Sequence, residues 1–284
     1  MTLNPSLTAR LLATLSLAAL VGCGTAPPAP VAATSAAPKA APTVSTEIKS
    51  LLWVGNSFFY YNNSMHGHVG RLLTESGAKG MRASSATISG SGINWHNLEA
   101  HLGSGGMASY SFVGDNEVRF NTLDKRFDGV MMMDCSQCPV HPTLQPIFYE
   151  FAAKHSATAR KYGTAPIFFM SWAYQDKPEM TQQLAAEYIK AGKQNNALVV
   201  PAGLAFAASI AKRPNVNLYE PDKRHPSLAG TYLAACTVLA SVYKTNPVGL
   251  KYNAGLPADV AAHLQAVAWE TAQGFHAKEG RGSL

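Results

Sequence analysis

Ser50-Leu51-Leu52-Trp53-Val54-Gly55-Asn56-Ser57 decides how this chain is read. Its apolar run, Ser50–Val54, reads as a short strand with no polar alternation, which suits a sheet covered on both faces. The tripeptide Gly55-Asn56-Ser57 follows at once. A serine there falls at the carboxyl edge of a sheet, where a tight turn can expose its hydroxyl.

Outward from this stretch, strand-like and helix-like patterns alternate. Further strands are expected at Ala83–Ile88, Gly129–Met133, Pro166–Met170 and Ala197–Val200. Helices are expected at Met65–Ser76, near Asn94–His101, and at Leu144–Lys161, Met180–Ala191, Ala205–Lys212, Ser227–Tyr243 and Pro257–Phe275. Strand–helix alternation of this kind implies an α/β protein: a doubly wound, three-layer α/β/α sandwich around a mainly parallel five-stranded sheet of flavodoxin-like type. Ligands of such sheets sit beyond the carboxyl ends of the strands, so the residues following each strand carry the functional question.

A serine hydroxyl needs a base to take its proton. Late in the chain, Pro221-Asp222-Lys223-Arg224-His225-Pro226-Ser227 precedes a strong helix pattern. An aspartate three residues before a histidine can hold one ring nitrogen and leave the other facing the serine. Ser227 is placed to cap the helix that follows. The chain-order ends of a doubly wound sheet meet, so Ser57, His225 and Asp222 form a candidate triad.

With those blocks in hand, the segment from Leu51 to about Tyr243 resembles the SGNH (GDSL-like) hydrolase superfamily. The first block, usually G-D-S, stands here as Gly55-Asn56-Ser57, the form of one branch, and the last as Asp222-Lys223-Arg224-His225. Ser171-Trp172-Ala173-Tyr174 and Pro201-Ala202-Gly203-Leu204-Ala205-Phe206 also look like that branch. The resemblance implies a serine esterase with no cofactor. It also implies an oxyanion hole made by the N–H of Ser57, the N–H of Gly92 (with Gly90 as the near alternative) and a third donor. The third block departs from the usual G-x-N-D: it reads Asp134-Cys135-Ser136-Gln137-Cys138, and Gln137 is the candidate donor. Asn56, Trp172 and Tyr174 are candidate substrate-pocket residues, although the two aromatics suit a core equally well.

Cys135-Ser136-Gln137-Cys138 leaves a rival open, an exported C-x-x-C thiol–disulfide protein. Against it stands Pro139, which opposes an immediate helix; a local disulfide or two small residues near the site are the plainer readings. A third reading is an SGNH-like lipoprotein that binds a ligand without turnover. Cys236 reads as a buried core thiol. His66, His68, His96 and His101 lack the spacing of a helical metal site, and no metal is expected.

The first residues differ in kind. Arg10, the apolar run Leu11–Val21 and Gly22-Cys23 read as a lipoprotein signal over residues 1–22, with Cys23 as the lipidated residue. Gly24 beside it favours the outer membrane if the source is Gram-negative. Residues 23–47 are Ala-, Pro- and Thr-rich and read as a tether, which leaves 48–284 as the hydrolase domain. The net charge of +6 is scattered without interleaved aromatics, so no nucleic-acid partner is expected. An exported, lipid-anchored enzyme points to an acetylated polysaccharide or a small acyl ester as substrate.

Overall fold

The computed structural model describes residues 48–103, 110–120 and 127–280. The signal, Cys23 and the tether lie outside them. In chain order the elements are β1 (Ser50–Gly55), α1 (Ser57–Tyr60), α2 (Met65–Glu75), β2 (Arg82–Thr87), α3 (Leu98–Leu102), β3 (Tyr110–Gly114), β4 (Glu117–Phe120) and β5 (Gly129–Met132). They continue with α4 (Gln145–Lys161), β6 (Ala165–Phe169), α5 (Met180–Gln194), β7 (Leu198–Val200), α6 (Ala202–Lys212), α7 (Leu228–Val242) and α8 (Ala258–Glu279). Short 3-10 turns occupy Ile93–Trp95 and Cys138–Val140.

Five strands form one parallel sheet in the order β2-β1-β5-β6-β7. Alternate residues feed two separate apolar cores. Leu51, Trp53, Met131, Ile167, Phe169 and Leu198 pack under α2, α6, α7 and α8. Leu52, Val54, Val130, Met132, Phe168 and Val199 pack under α4 and α5. Both faces are thus covered, which is why the strands lack polar alternation. The sheet is the expected three-layer α/β/α sandwich. Only β2, at the edge, keeps a polar sequence and partial exposure.

After β2 the chain returns to the other side of β1, placing β5 there. The carboxyl ends of β1 and β5 therefore flank the point where strand order reverses, and a crevice opens at such a point. Helix α7 follows the Asp222–His225 stretch and is buried from Ala229 onward, as a helix apolar on all sides must be. Ser227 caps it, accepting the Gly230 N–H at 3.2 Å.

Several details differ from the sequence reading. The helix expected near 94–101 is a 3-10 turn followed by α3, because Asn97 caps a new helix by accepting the Ala100 N–H. Helix α6 starts at Ala202, three residues early. The hairpin β3–β4 was not expected; it pairs outside the main sheet around a tight turn in which Asn116 takes φ +55°. Among the described residues no helix is long and apolar enough to cross a membrane.

Gly230 lets the start of α7 approach the strap before the histidine. A Cβ there would lie 2.3 Å from the Leu218 carbonyl oxygen and 3.0 Å from the Phe206 ring. Gly230→Ala is expected to cost about 2 kcal/mol through overpacking. An unchanged urea midpoint in the variant would contradict this packing.

Candidate active site

Strand β1 ends at Gly55, and Asn56 turns the chain in extended backbone before α1. Asn56 Oδ1 accepts the Phe58 N–H at 3.2 Å, which caps α1 and leaves Ser57 as its first residue. The same side chain's Nδ2 donates to the carbonyls of Ser91 at 2.9 Å and Asp134 at 3.2 Å. One amide thus joins the ends of β1 and β5 to the loop after β2. Beneath it, Ser91 Oγ and His96 Nε2 each donate to the Gly55 carbonyl at 3.1 Å. Burial, reinforced by nearby His101, lowers His96 to about 4, so its ring is neutral.

The histidine comes from a turn that is tied down on every side. Tyr219 and Pro226 form an antiparallel bridge, and the His225 carbonyl accepts the Glu220 N–H at 2.9 Å. Lys223 takes φ +64° inside the turn. Trp172 Nε1 donates to the Arg224 carbonyl at 2.9 Å. Asp222 Oδ1 accepts the N–H groups of Arg224 and His225, each at 2.9 Å, while Oδ2 accepts His225 Nδ1–H. That assignment leaves Nε2 as an acceptor, and it lies 2.9 Å from Ser57 Oγ. Partial burial raises the Asp222 carboxyl, but the bonds from His225 and the two N–H groups outweigh it and hold the group at about 2. Tyr61 stacks on the imidazole at 4.2 Å, and Phe58 meets it edge-on at 5.5 Å.

The sequence-predicted triad residues are therefore brought together. Gly92 is buried in extended backbone against the β5 loop, where a Cβ would lie 3.0 Å from Asp134 Oδ1. Gly90, with φ +70°, makes the turn before it. Among the described residues no acceptor takes the N–H of Ser57 or of Gly92. Gln137 precedes the 3-10 turn at Cys138 with its side chain exposed.

Two pocket expectations are corrected. Asn56 is 4% exposed and committed to the bonds above. Trp172 is fully buried, stacked between Phe58 at 4.7 Å and Phe206 at 4.2 Å. Neither offers a surface to a ligand; both position the turn. Tyr174 does line a groove of about 500 Å³ with Phe206, Ile210, Val216 and Leu218, but none of Ser57, Asp222 or His225 borders that groove.

The C-x-x-C pair is a disulfide with a Cα–Cα separation of 5.1 Å, followed by a 3-10 turn and not by the helix a thioredoxin-type centre opens. It closes the loop in which Asp134 Oδ1 accepts the N–H groups of Ile93 and Cys135, each at 2.8 Å. Burial raises Asp134 to about 6, and those two bonds oppose the rise. Cys236 is a free, buried thiol, as expected, and burial pushes its pKa up.

Sequence reasoning missed Asn62. Its Nδ2 donates to the Pro226 carbonyl at 2.9 Å and to Thr231 Oγ1 at 2.8 Å, and its carbonyl holds buried His68 Nε2 at 2.7 Å. Asn62, Asn63 and Ser64 take φ values of 52°, 62° and 68° in succession. The only signal was the Asn-Asn-Ser run between two helix patterns, since asparagine tolerates this region best among residues with side chains.

Two outcomes follow from these bonds. Asn56→Asp keeps the cap but sets a carboxylate against two carbonyls, and should cost about 3 kcal/mol in a denaturant titration at pH 7; a loss under 0.5 kcal/mol would contradict the bridge. Asp134 holds its proton longer in the folded than in the unfolded chain. Wild-type stability should therefore fall as pH rises from about 4 to about 6, by about 3 kcal/mol from this group. Asp134→Asn keeps the accepting oxygen and should remove that fall; parallel pH profiles of the two proteins would rule it out.

No protein-family model matches the chain, and no curated protein matches it significantly. Solved structures do. A candidate SGNH hydrolase from Slackia heliotrinireducens is 21% identical, with a TM-score of 0.52, covering 68% of this chain and 97% of its own. A DUF4886 family protein from Bacteroides uniformis is 17% identical, with a TM-score of 0.58, covering 78% and 93%. The protein TesA is 16% identical, with a TM-score of 0.51, covering 69% and 98%. Crossing order, sheet topology and these neighbours agree: the chain has the fold of the SGNH (GDSL-like) hydrolases.

Proposed function

We propose that the protein is a serine-dependent carboxylic ester hydrolase, exported and held at the cell envelope by lipid on Cys23. The observation that carries the chemistry is the hydrogen-bonded line from Ser57 Oγ to His225 Nε2, and from His225 Nδ1 to Asp222. The Slackia heliotrinireducens neighbour of the same fold, described as an SGNH hydrolase, supports a hydrolase. The anchor rests on the sequence of residues 1–23 alone.

In this reading His225 Nε2 takes the Ser57 proton as Oγ attacks the ester carbonyl. Asp222 fixes the Nδ1–H tautomer and stabilises the imidazolium that forms. The N–H groups of Ser57 and Gly92 receive the oxyanion, each donor of this kind being worth about 3 kcal/mol. His225 then protonates the leaving alcohol, and a water activated by the same nitrogen releases the acid. Gln137 adds a third donor only if its exposed side chain turns inward.

Hydrolysis of p-nitrophenyl acetate tests the proposal. Ser57→Ala and His225→Ala should each lower kcat by at least about 10³-fold, and Asp222→Asn by about 10²- to 10⁴-fold. Held at about 2, Asp222 stays ionised across the working range, so its charge on the His225 Nδ1–H should persist down to about pH 4. Equal activity in Ser57→Ala or in His225→Ala would overturn the assignment.

A further inference from the structure

Beside the Gly92 loop lies a second groove, of about 510 Å³, between the 3-10 turn Ile93–Trp95 and helix α4. Trp95 stands on its rim with 60% of its surface exposed, an unusual place for the largest aromatic side chain. The indole is not on a loose loop. Ile93, two residues before it, donates its N–H to Asp134 and accepts the His155 Nε2–H at 3.1 Å, and the Trp95 N–H bonds the Gly92 carbonyl at 3.1 Å. His155 is 3% exposed, so the turn is held from inside the core.

We infer that this groove is a carbohydrate subsite and that the ester is carried on a neutral glycan; the inference rests on the hydrolase reading and names its substrate class. A pyranose ring offers a flat C–H face and a rim of hydroxyls. The groove offers the matching set: the Trp95 and Phe151 rings, the amides of Asn94 and Asn97, and the Thr158 hydroxyl. Such exposed aromatic surface, apolar on its face and polar at its edge, suits a wet interface better than a buried one. Lys154 and Glu99 also line the groove; Glu99 pairs with Lys161, and Lys154 lies over the Phe151 ring at 5.0 Å. With Glu99 paired to Lys161, one lysine is too weak a field to select a polyanion, and the buried histidines and amides of the lining do not suit a long acyl chain. Three residues of 3-10 turn place Trp95 roughly 6 Å along the wall from Gly92. None of Ser57, Gly92, Asp222 and His225 borders the groove itself; its link to them is the turn that Gly92 caps, along which a sugar stacked on Trp95 would extend an acylated neighbour toward the oxyanion donors.

The test compares the full protein on p-nitrophenyl acetate and on O-acetylated xylo-, manno- and cello-oligosaccharides. Wild type should show a kcat/KM at least about tenfold higher on one acetylated oligosaccharide, and Trp95→Ala should reduce that ratio about tenfold through KM. Trp95→Phe should recover part of it. In parallel, indole fluorescence of Ser57→Ala is titrated with the unacetylated oligosaccharides; saturable quenching, lost in Ser57→Ala/Trp95→Ala, is expected. Equal ratios in wild type and Trp95→Ala, together with no quenching, would overturn the subsite. Absence of hydrolysis on every ester with quenching intact would instead overturn the hydrolase reading while leaving the glycan groove standing.

Discussion

A parallel sheet with apolar side chains on both faces leaves its loops nowhere to go but the two ends. That constraint organises this molecule. Trp53, Met131, Ile167 and Leu198 share one face, and Leu52, Val130, Phe168 and Val199 the other, so helices must cover both. The chain accordingly winds outward from β1 in two directions, and the crevice between β1 and β5 forms where the directions part. Ser57, the Gly92 loop and Asp134 all follow strands that end at this side of the sheet.

Within the crevice, the site is held by polar groups that leave little to chance. Asn56 satisfies three backbone groups from three segments with one side chain. Buried amides of this kind are costly to leave unpaired, so the three segments move together or not at all. The histidine turn is fixed from the opposite side, by Trp172 on Arg224 and by Asn62 on Pro226. Among the described residues, four of the eight non-glycine positions with positive φ, namely Asn62, Asn63, Ser64 and Lys223, fall in the histidine turn or in the segment that Asn62 ties to it. Strain of that sort persists only where surrounding contacts over-determine the backbone, and it gathers at functional sites.

Much of this was legible in the sequence. Apolar runs of the right length marked β1, β5, β6 and β7, because burial on both faces leaves an unbroken signal, whereas the edge strand β2 is polar. Ser57 and the Asp222–His225 pair were legible because each stands at the end of an element the sheet topology joins. Ser227 was readable as a cap for the same local reason. Other features depend on distant partners that no local pattern carries. Asn56 looked like a pocket residue, yet its partners lie 35 and 78 residues away. Trp172 sits in a motif that suits a pocket or a core, and stacking on Phe58 and Phe206 decides for the core. His68 and His96, which the sequence shows only as lacking metal-site spacing, are buried and bonded to Asn62, Tyr252 and Gly55. The hairpin β3–β4 contributes nothing to the main sheet, so sheet logic could not announce it.

The central claim is that the hydrogen bond from Ser57 to His225 makes the serine a nucleophile. Labelling the protein with a fluorophosphonate, followed by mass mapping of the adduct, tests it most directly. The account predicts a single adduct on Ser57, absent from Ser57→Ala and at least about a hundredfold slower to form in His225→Ala. A folded wild-type protein that stays unlabelled, or one that labels equally well without His225, would contradict it.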